Sequence, residues 1–187
     1  IIPETITSIN TEAFQNCSYL QNVEYLYDNE PSCDSSIFSS THIAVIVPFT
    51  YVGSSFCSSL IVKRNSNNEA IIDGKCGEDC YFTFDLISGY IQITGNGNMA
   101  EWNSESATPW YSYNSSIILL SINLGIKTIG TYSFTNWKHL QSIQYPVSIT
   151  TTNAKTFNGC SSLSKINLIG SGSMQNYSSS NQPWYSI

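Results

Sequence analysis

Glu101 and Glu105 stand four residues apart, and two carboxylates can share acid and base work where burial splits their pKa values. Their neighbourhood is rich in Ser and Asn, so solvated loop charges are expected. Serine is abundant, yet no Gly-x-Ser-x-Gly elbow exists, and His139, between Trp137 and Leu140, reads as part of an exposed turn; no Ser-His-Asp triad is recognisable. Gly95-Asn96-Gly97 lacks the third glycine and the lysine of a phosphate loop, and a strand-ending turn is expected there. Asp28, Glu30 and Asp34 lack the glycine and closing glutamate of a calcium loop. The six cysteines, Cys17, Cys33, Cys57, Cys76, Cys80 and Cys160, are too widely spaced for paired CxxC knuckles, and the two histidines, His42 and His139, lie far apart. No catalytic residue, metal or cofactor is therefore expected, and the chain does not read as an enzyme.

Composition narrows the field further. The 187 residues suffice for one full domain or two small ones. Charged residues make up only 11%, against roughly 25% in an average soluble domain, while aromatics reach 13%, so the surface must be polar but mostly uncharged. The net charge is −6, and no basic run is present to neutralise a phosphate backbone, which argues against nucleic acid as a partner. No apolar stretch approaches the ~18 residues of a membrane span.

The elements that position these residues are set by a repeat. Leu140-Gln-Ser-Ile143-Gln-Tyr145 recurs as Leu163-Ser-Lys-Ile166-Asn-Leu168 and, earlier, as Ile117-Ile-Leu-Leu120-Ser-Ile122, at a spacing of 23 residues. Ile126 and Ile149, Ile129 and Thr152, Phe134 and Phe157, and Trp137 and Cys160 hold the same register. Near the start, Ile6, Ile9, Phe14, Cys17, Leu20, Val23 and Tyr25 reproduce the order. The end of each LxxIxL run alternates apolar with polar side chains, as a short strand buried on one face does. A unit of this length buries its apolar side only against its neighbours, which predicts parallel strands at 117–122, 140–145 and 163–168. The fold class expected is a leucine-rich-repeat solenoid, repeat α/β to mainly β, with loop or short helical returns, about 23 residues per repeat and an intervening β-hairpin module.

The residues also carry a family resemblance. Ile2-Pro3-Glu4-Thr5-Ile6 through Ala13-Phe14-Gln15-Asn16-Cys17-Ser18-Tyr19-Leu20 resembles the motif of the BspA-like leucine-rich-repeat surface proteins of protozoa and bacteria. Thr156-Phe157-Asn158-Gly159-Cys160-Ser161-Ser162-Leu163 is similar to it too, whereas Trp137 stands where the family has Cys. The rest of the chain resembles that family's intervening module through Cys76-Gly77-Glu78-Asp79-Cys80, Tyr81 to Asp85, Gly95 to Met99 and Pro109-Trp110-Tyr111-Ser112-Tyr113.

The organisation expected is a first repeat array with its terminal repeat over residues 1–62, a polar linker at 63–73 and a hairpin or capping module at 74–116. A second array follows at 117–169. Residues 170–187 repeat the Gly-x-Gly-x-Met and Pro-Trp-Tyr-Ser of residues 95–112 and read as the start of a further module. Beginning inside a repeat and ending inside a module, the sequence reads as a segment of a longer repetitive protein.

Cys17 and Cys160 share the position of Trp137 and are expected to be buried core thiols. Cys33 and Cys57 fall outside the repeat register, and Cys76 and Cys80 bracket a short loop. Of the three pairings open to these four, Cys33 with Cys57 and Cys76 with Cys80 is expected, with a reduced set as the alternative. Asn16, Asn114 and Asn176 head glycosylation sequons.

The polar residues interleaved on the strands, Asn22, Glu24, Ser121, Ser142, Gln144, Lys165 and Asn167, should face outward in a row and form the binding surface. Small and mostly neutral, such a row suits weak multivalent contact. The resemblance implies a non-enzymatic extracellular binding or adhesion module, at the cell surface or secreted, whose partners are host-cell or matrix proteins or glycans, or other microbes. Two alternatives remain open: a secreted hydrolase, such as one acting on glycans, with two carboxylates converging in a pocket, and a purely structural spacer.

Overall fold

The computed structural model describes residues 1–34, 37–38, 43–152 and 155–173, so His42, Asn176 and most of the further module expected at 170–187 lie outside the described residues. The chain divides into two compact units, Ile1–Ile72 and Asp73–Ile187. Among the described residues no helix is long and apolar enough to cross a membrane.

In the first unit, β1 (Ser8–Ile9), β2 (Asn22–Glu24), β3 (Ser32–Cys33), β4 (Ala44–Val47) and β5 (Ile61–Lys63) form two parallel sheets, ordered β1-β3 and β2-β4-β5. All four residues of β4 are buried, as a continuous apolar run in a parallel strand covered on both faces should be. Ile37, Val45, Val47, Tyr51 and Phe56 belong to the core below it, where the Tyr25 and Phe56 rings lie 4.8 Å apart. Strand β5 was not anticipated: Val45 pairs with Ile61, only sixteen residues on, so the coil that carries it breaks the repeat period. The segment read as a linker holds a turn closed by Asn65 and Glu69, and Arg64 within it bonds Glu24 at 3.1 Å.

The second unit's six-stranded sheet is ordered β11-β10-β9-β8-β7-β6 and comprises β6 (Ile71–Gly77), β7 (Cys80–Asp85), β8 (Tyr90–Gly95), β9 (Leu119–Ile122), β10 (Ser142–Pro146) and β11 (Lys165–Ile169). Strands β7 and β8 form an antiparallel hairpin, whose turn is held by the Asp85 carboxylate accepting from the Ile87 amide at 3.0 Å and the Ser88 hydroxyl at 2.6 Å. Strand β8 then pairs in parallel with β9, and β9, β10 and β11 follow in parallel with Leu119 opposite Ser142 opposite Lys165. The strands begin two residues later than the Leu of the LxxIxL pattern, because the Leu140 and Leu163 amides close turns onto Trp137 and Cys160.

Behind the sheet the returns of the coils stack aromatically. Trp110, Phe134 and Phe157 form a stack with centroid separations of 5.8 and 5.1 Å, and the Trp110 indole donates to the Ser133 carbonyl at 2.6 Å. A second ladder joins Asn98, Thr128 and Thr151 in parallel on the way back. Here the coils meet the 95–101 segment so closely that a Cβ added at Gly125 would fall on the Gly95 carbonyl oxygen, and one at Gly130 on that of Ala100.

Cys33 bonds Cys57 and Cys76 bonds Cys80, with Cα separations of 5.4 and 5.1 Å. The two remaining thiols differ. Cys160 is buried, its Sγ donating to the Phe134 carbonyl of the preceding coil at 3.1 Å. Cys17 is exposed, contrary to expectation, so the position it shares with Cys160 in the motif is not buried in every coil. Burial pushes the Cys160 thiol up to about 12, against a smaller lowering by a backbone hydrogen bond at Trp137, so it stays protonated at neutral pH. A maleimide added to the native protein is expected to label Cys17 with about one equivalent and Cys160 only after unfolding, read by peptide mass mapping. Prompt native labelling of Cys160 would contradict the burial described.

Candidate functional site

Alternation along a strand puts every second side chain on the sheet face away from the core, and pairing register decides which of them become neighbours. In the second unit Thr83 stands opposite Gln92, Gln92 opposite Ser121, Ser121 opposite Gln144 and Gln144 opposite Asn167. The adjacent row runs Asp85, Tyr90, Leu119, Ser142 and Lys165. Five of the seven residues expected to form a binding row are thus brought together, in two rows rather than one.

Ser121 departs from expectation in its exposure. Only 7% exposed, it sits in the row between Gln92 and Gln144, and its hydroxyl donates to the Gln144 Oε1 at 2.8 Å. It therefore positions the Gln144 amide instead of meeting solvent itself. Gln144, Lys165 and Asn167 are exposed and Ser142 is half-buried. Asn22 and Glu24, in the first unit, are half-buried, and Glu24 is engaged by Arg64.

The hairpin contributes residues that sequence reasoning left out. Tyr81, Thr83, Tyr90 and Gln92 alternate with buried Phe82, Phe84, Ile91 and Ile93, and so belong to the same outward face. The Tyr81 and Tyr90 side chains remain 41% and 36% exposed, and Leu119 40%. The signal was present in that alternation, but placing the hairpin against β9 requires a pairing that no local pattern states.

The chemical candidates are absorbed by the fold. Glu101 accepts from the Thr131 amide and hydroxyl, both at 2.8 Å, while Glu105 accepts from the Asn136 side-chain amide. Each carboxylate thus ties the module to a different part of one coil. In the first unit Glu4, Asp28 and Glu30 line an open groove of about 490 Å³ with Tyr25 and Tyr27. Asp28 accepts from the Thr50 hydroxyl and Glu30 from the Cys57 amide. Burial first, then the charge of Glu4, raises the Tyr25 phenol, and burial with the charge of Glu30 pushes Tyr51 up to about 12. Both phenols stay protonated and donate to backbone carbonyls, Tyr25 to Asn29 and Tyr51 to Ser55. Of the sequon asparagines, Asn16 is exposed on a turn with φ of 58°, and Asn114 is half-buried in a 3-10 turn.

The BspA type leucine rich repeat region matches in six copies over residues 1–76 and 109–182. Among solved structures, the chain is similar to a leucine-rich repeat protein from Eubacterium ventriosum, with a TM-score of 0.49 at 20% identity, over 54% of this chain and 26% of that one. It is also similar to a leucine rich cell surface protein from Faecalibacterium prausnitzii, with a TM-score of 0.24 at 12% identity, over 88% of this chain and 64% of that one. The chain spans less than two thirds of the length of either. No curated protein matches it. With the family's repeat matched over most of its length, the chain belongs to the BspA-type leucine-rich-repeat family.

Proposed function

We infer that the chain is a non-enzymatic binding segment of a surface or secreted protein, one that attaches to host cells, matrix or other microbes through the outward face of its strands. The observation that carries this reading is the pair of rows crossing the six-stranded sheet, continuous from the hairpin into the repeats. The solenoid form, its 23-residue coil and the role of the hairpin module as a cap belong to the same reading. A hydrolase would need converging carboxylates free to react, and the hydrogen bonds that hold Asp28, Glu30, Glu101 and Glu105 support binding instead.

Hydrogen-bonding contacts of this kind are individually weak, so avidity must come from many copies. The soluble chain is expected to bind cells or matrix weakly, and display on beads to strengthen retention by about tenfold or more. Replacing Ser142, Gln144, Lys165 and Asn167 together by Ala should reduce that retention. Equal retention in both formats, or full retention by the quadruple variant, would count against the reading. Turnover of a glycan or peptide by the purified chain would replace it with the hydrolase.

A further inference from the structure

The composition of the outward face states what kind of ligand it suits. The row of Thr83, Gln92, Ser121, Gln144 and Asn167 contains amides and hydroxyls alone, side chains that both donate and accept hydrogen bonds. At ~4.8 Å between neighbouring strands the row extends for about 19 Å, and its repeat is close to the length of one hexose unit. At the hairpin end Tyr81 and Tyr90 leave their rings partly open to solvent, and the Lys75 ammonium stands 5.7 Å from the Tyr81 ring centroid.

Charge selects further. Although the chain carries a net −6, the two exposed lysines of this sheet, Lys75 and Lys165, are matched by Asp73 and Asp85, so the sheet has no net formal charge of its own. A polyanion or polycation gains nothing from such a surface. The two central strands present Gln92 and Ser121 in this row, and Tyr90 beside Leu119 in the adjacent row offers a small apolar platform next to the hydrogen-bonding groups, without the arginine or tryptophan anchors that protein interfaces favour.

We propose that this face binds a neutral polysaccharide laid across the strands, its hydroxyls exchanging hydrogen bonds with Thr83, Gln92, Gln144 and Asn167 and a sugar face resting on Tyr90. The proposal rests on the adhesive reading and names its ligand class. Ser121, by holding the carbonyl end of the Gln144 amide, fixes which end of that amide the sugar meets.

The test is affinity electrophoresis of the whole chain through native gels containing β-1,3-glucan, β-1,4-glucan, α-mannan or galactan, with heparin and polygalacturonate as anionic controls. Retardation by at least one neutral polymer and by neither anionic one is expected. Tyr90→Ala and the Gln92→Ala/Gln144→Ala pair should each weaken that retardation about fivefold, with thermal unfolding unchanged to show that the fold persists. No retardation by any neutral polymer, equal retardation of the variants, or stronger retardation by the anionic polymers would each overturn the proposal. Bead attachment to cells that depends on Ser142, Gln144, Lys165 and Asn167, without any retardation, would remove the polysaccharide and leave the adhesive reading standing. Retardation without cell attachment would do the reverse.

Discussion

Phe134→Ala is expected to lower the unfolding free energy of the unit Asp73–Ile187 by about 4 kcal/mol, the middle of the range for a buried phenylalanine. The reason is its place in the stack. Phe134 lies between Trp110 and Phe157, and Trp137 packs edge-on at 4.9 Å, so truncation would empty the centre of the stack and loosen one coil from both the module and the next coil. Urea unfolding followed by tryptophan fluorescence measures it, since Trp110 and Trp137 are both buried at the site. Leu168→Ala, on a side chain 52% exposed, serves as the contrast and should cost under about 1 kcal/mol. Equal losses from the two variants would show that the aromatic stack is not what holds the coils.

Removing the Cys33–Cys57 bridge by paired Ser substitution should cost the unit Ile1–Ile72 about 3 kcal/mol. The two residues are 24 apart, and a loop of that length confines the unfolded chain strongly once closed. Cys76 and Cys80 are only 4 apart, and the same argument gives a smaller loss for their removal, about 2 kcal/mol. Differential scanning calorimetry of the two variants beside the parent decides the order. A larger loss from the short loop would mean that Cys76–Cys80 acts through the folded state, at the start of the hairpin, more than through the unfolded one.

The repeat was legible because it is written several times. Residues 117, 140 and 163 lie in one register, and the observed pairing of Leu119 with Ser142 and Lys165 uses that same spacing. Where copies fail, so does reading. Strand β5 pairs with β4 at a shorter spacing, and Leu60-Ile61-Val62 therefore matched no template. Cys17 has the sequence neighbourhood of Cys160, but burial depends on what lies beside a coil, and motifs do not encode that. The candidate site divides the same way. Ser142, Gln144, Lys165 and Asn167 followed from strand alternation, whereas Tyr81, Tyr90 and Gln92 joined them only through the pairing of β8 with β9.

Gly125 and Gly130 carry a consequence for how such an array can grow. The positions 23 residues later are Ser148 and Asn153, so the next coil carries side chains where this one has none. The coil beginning at Ile117 faces the module and needs bare backbone at Gly125 and Gly130, where a Cβ would strike the Gly95 and Ala100 carbonyls. Its copies are therefore not interchangeable. A duplication that inserts another unit further along, between residues 140 and 169, meets only coil on either side and can be accepted as it stands. The same unit inserted directly after the module would arrive with Ser and Asn against those carbonyls and would require two compensating changes before it could fold in place.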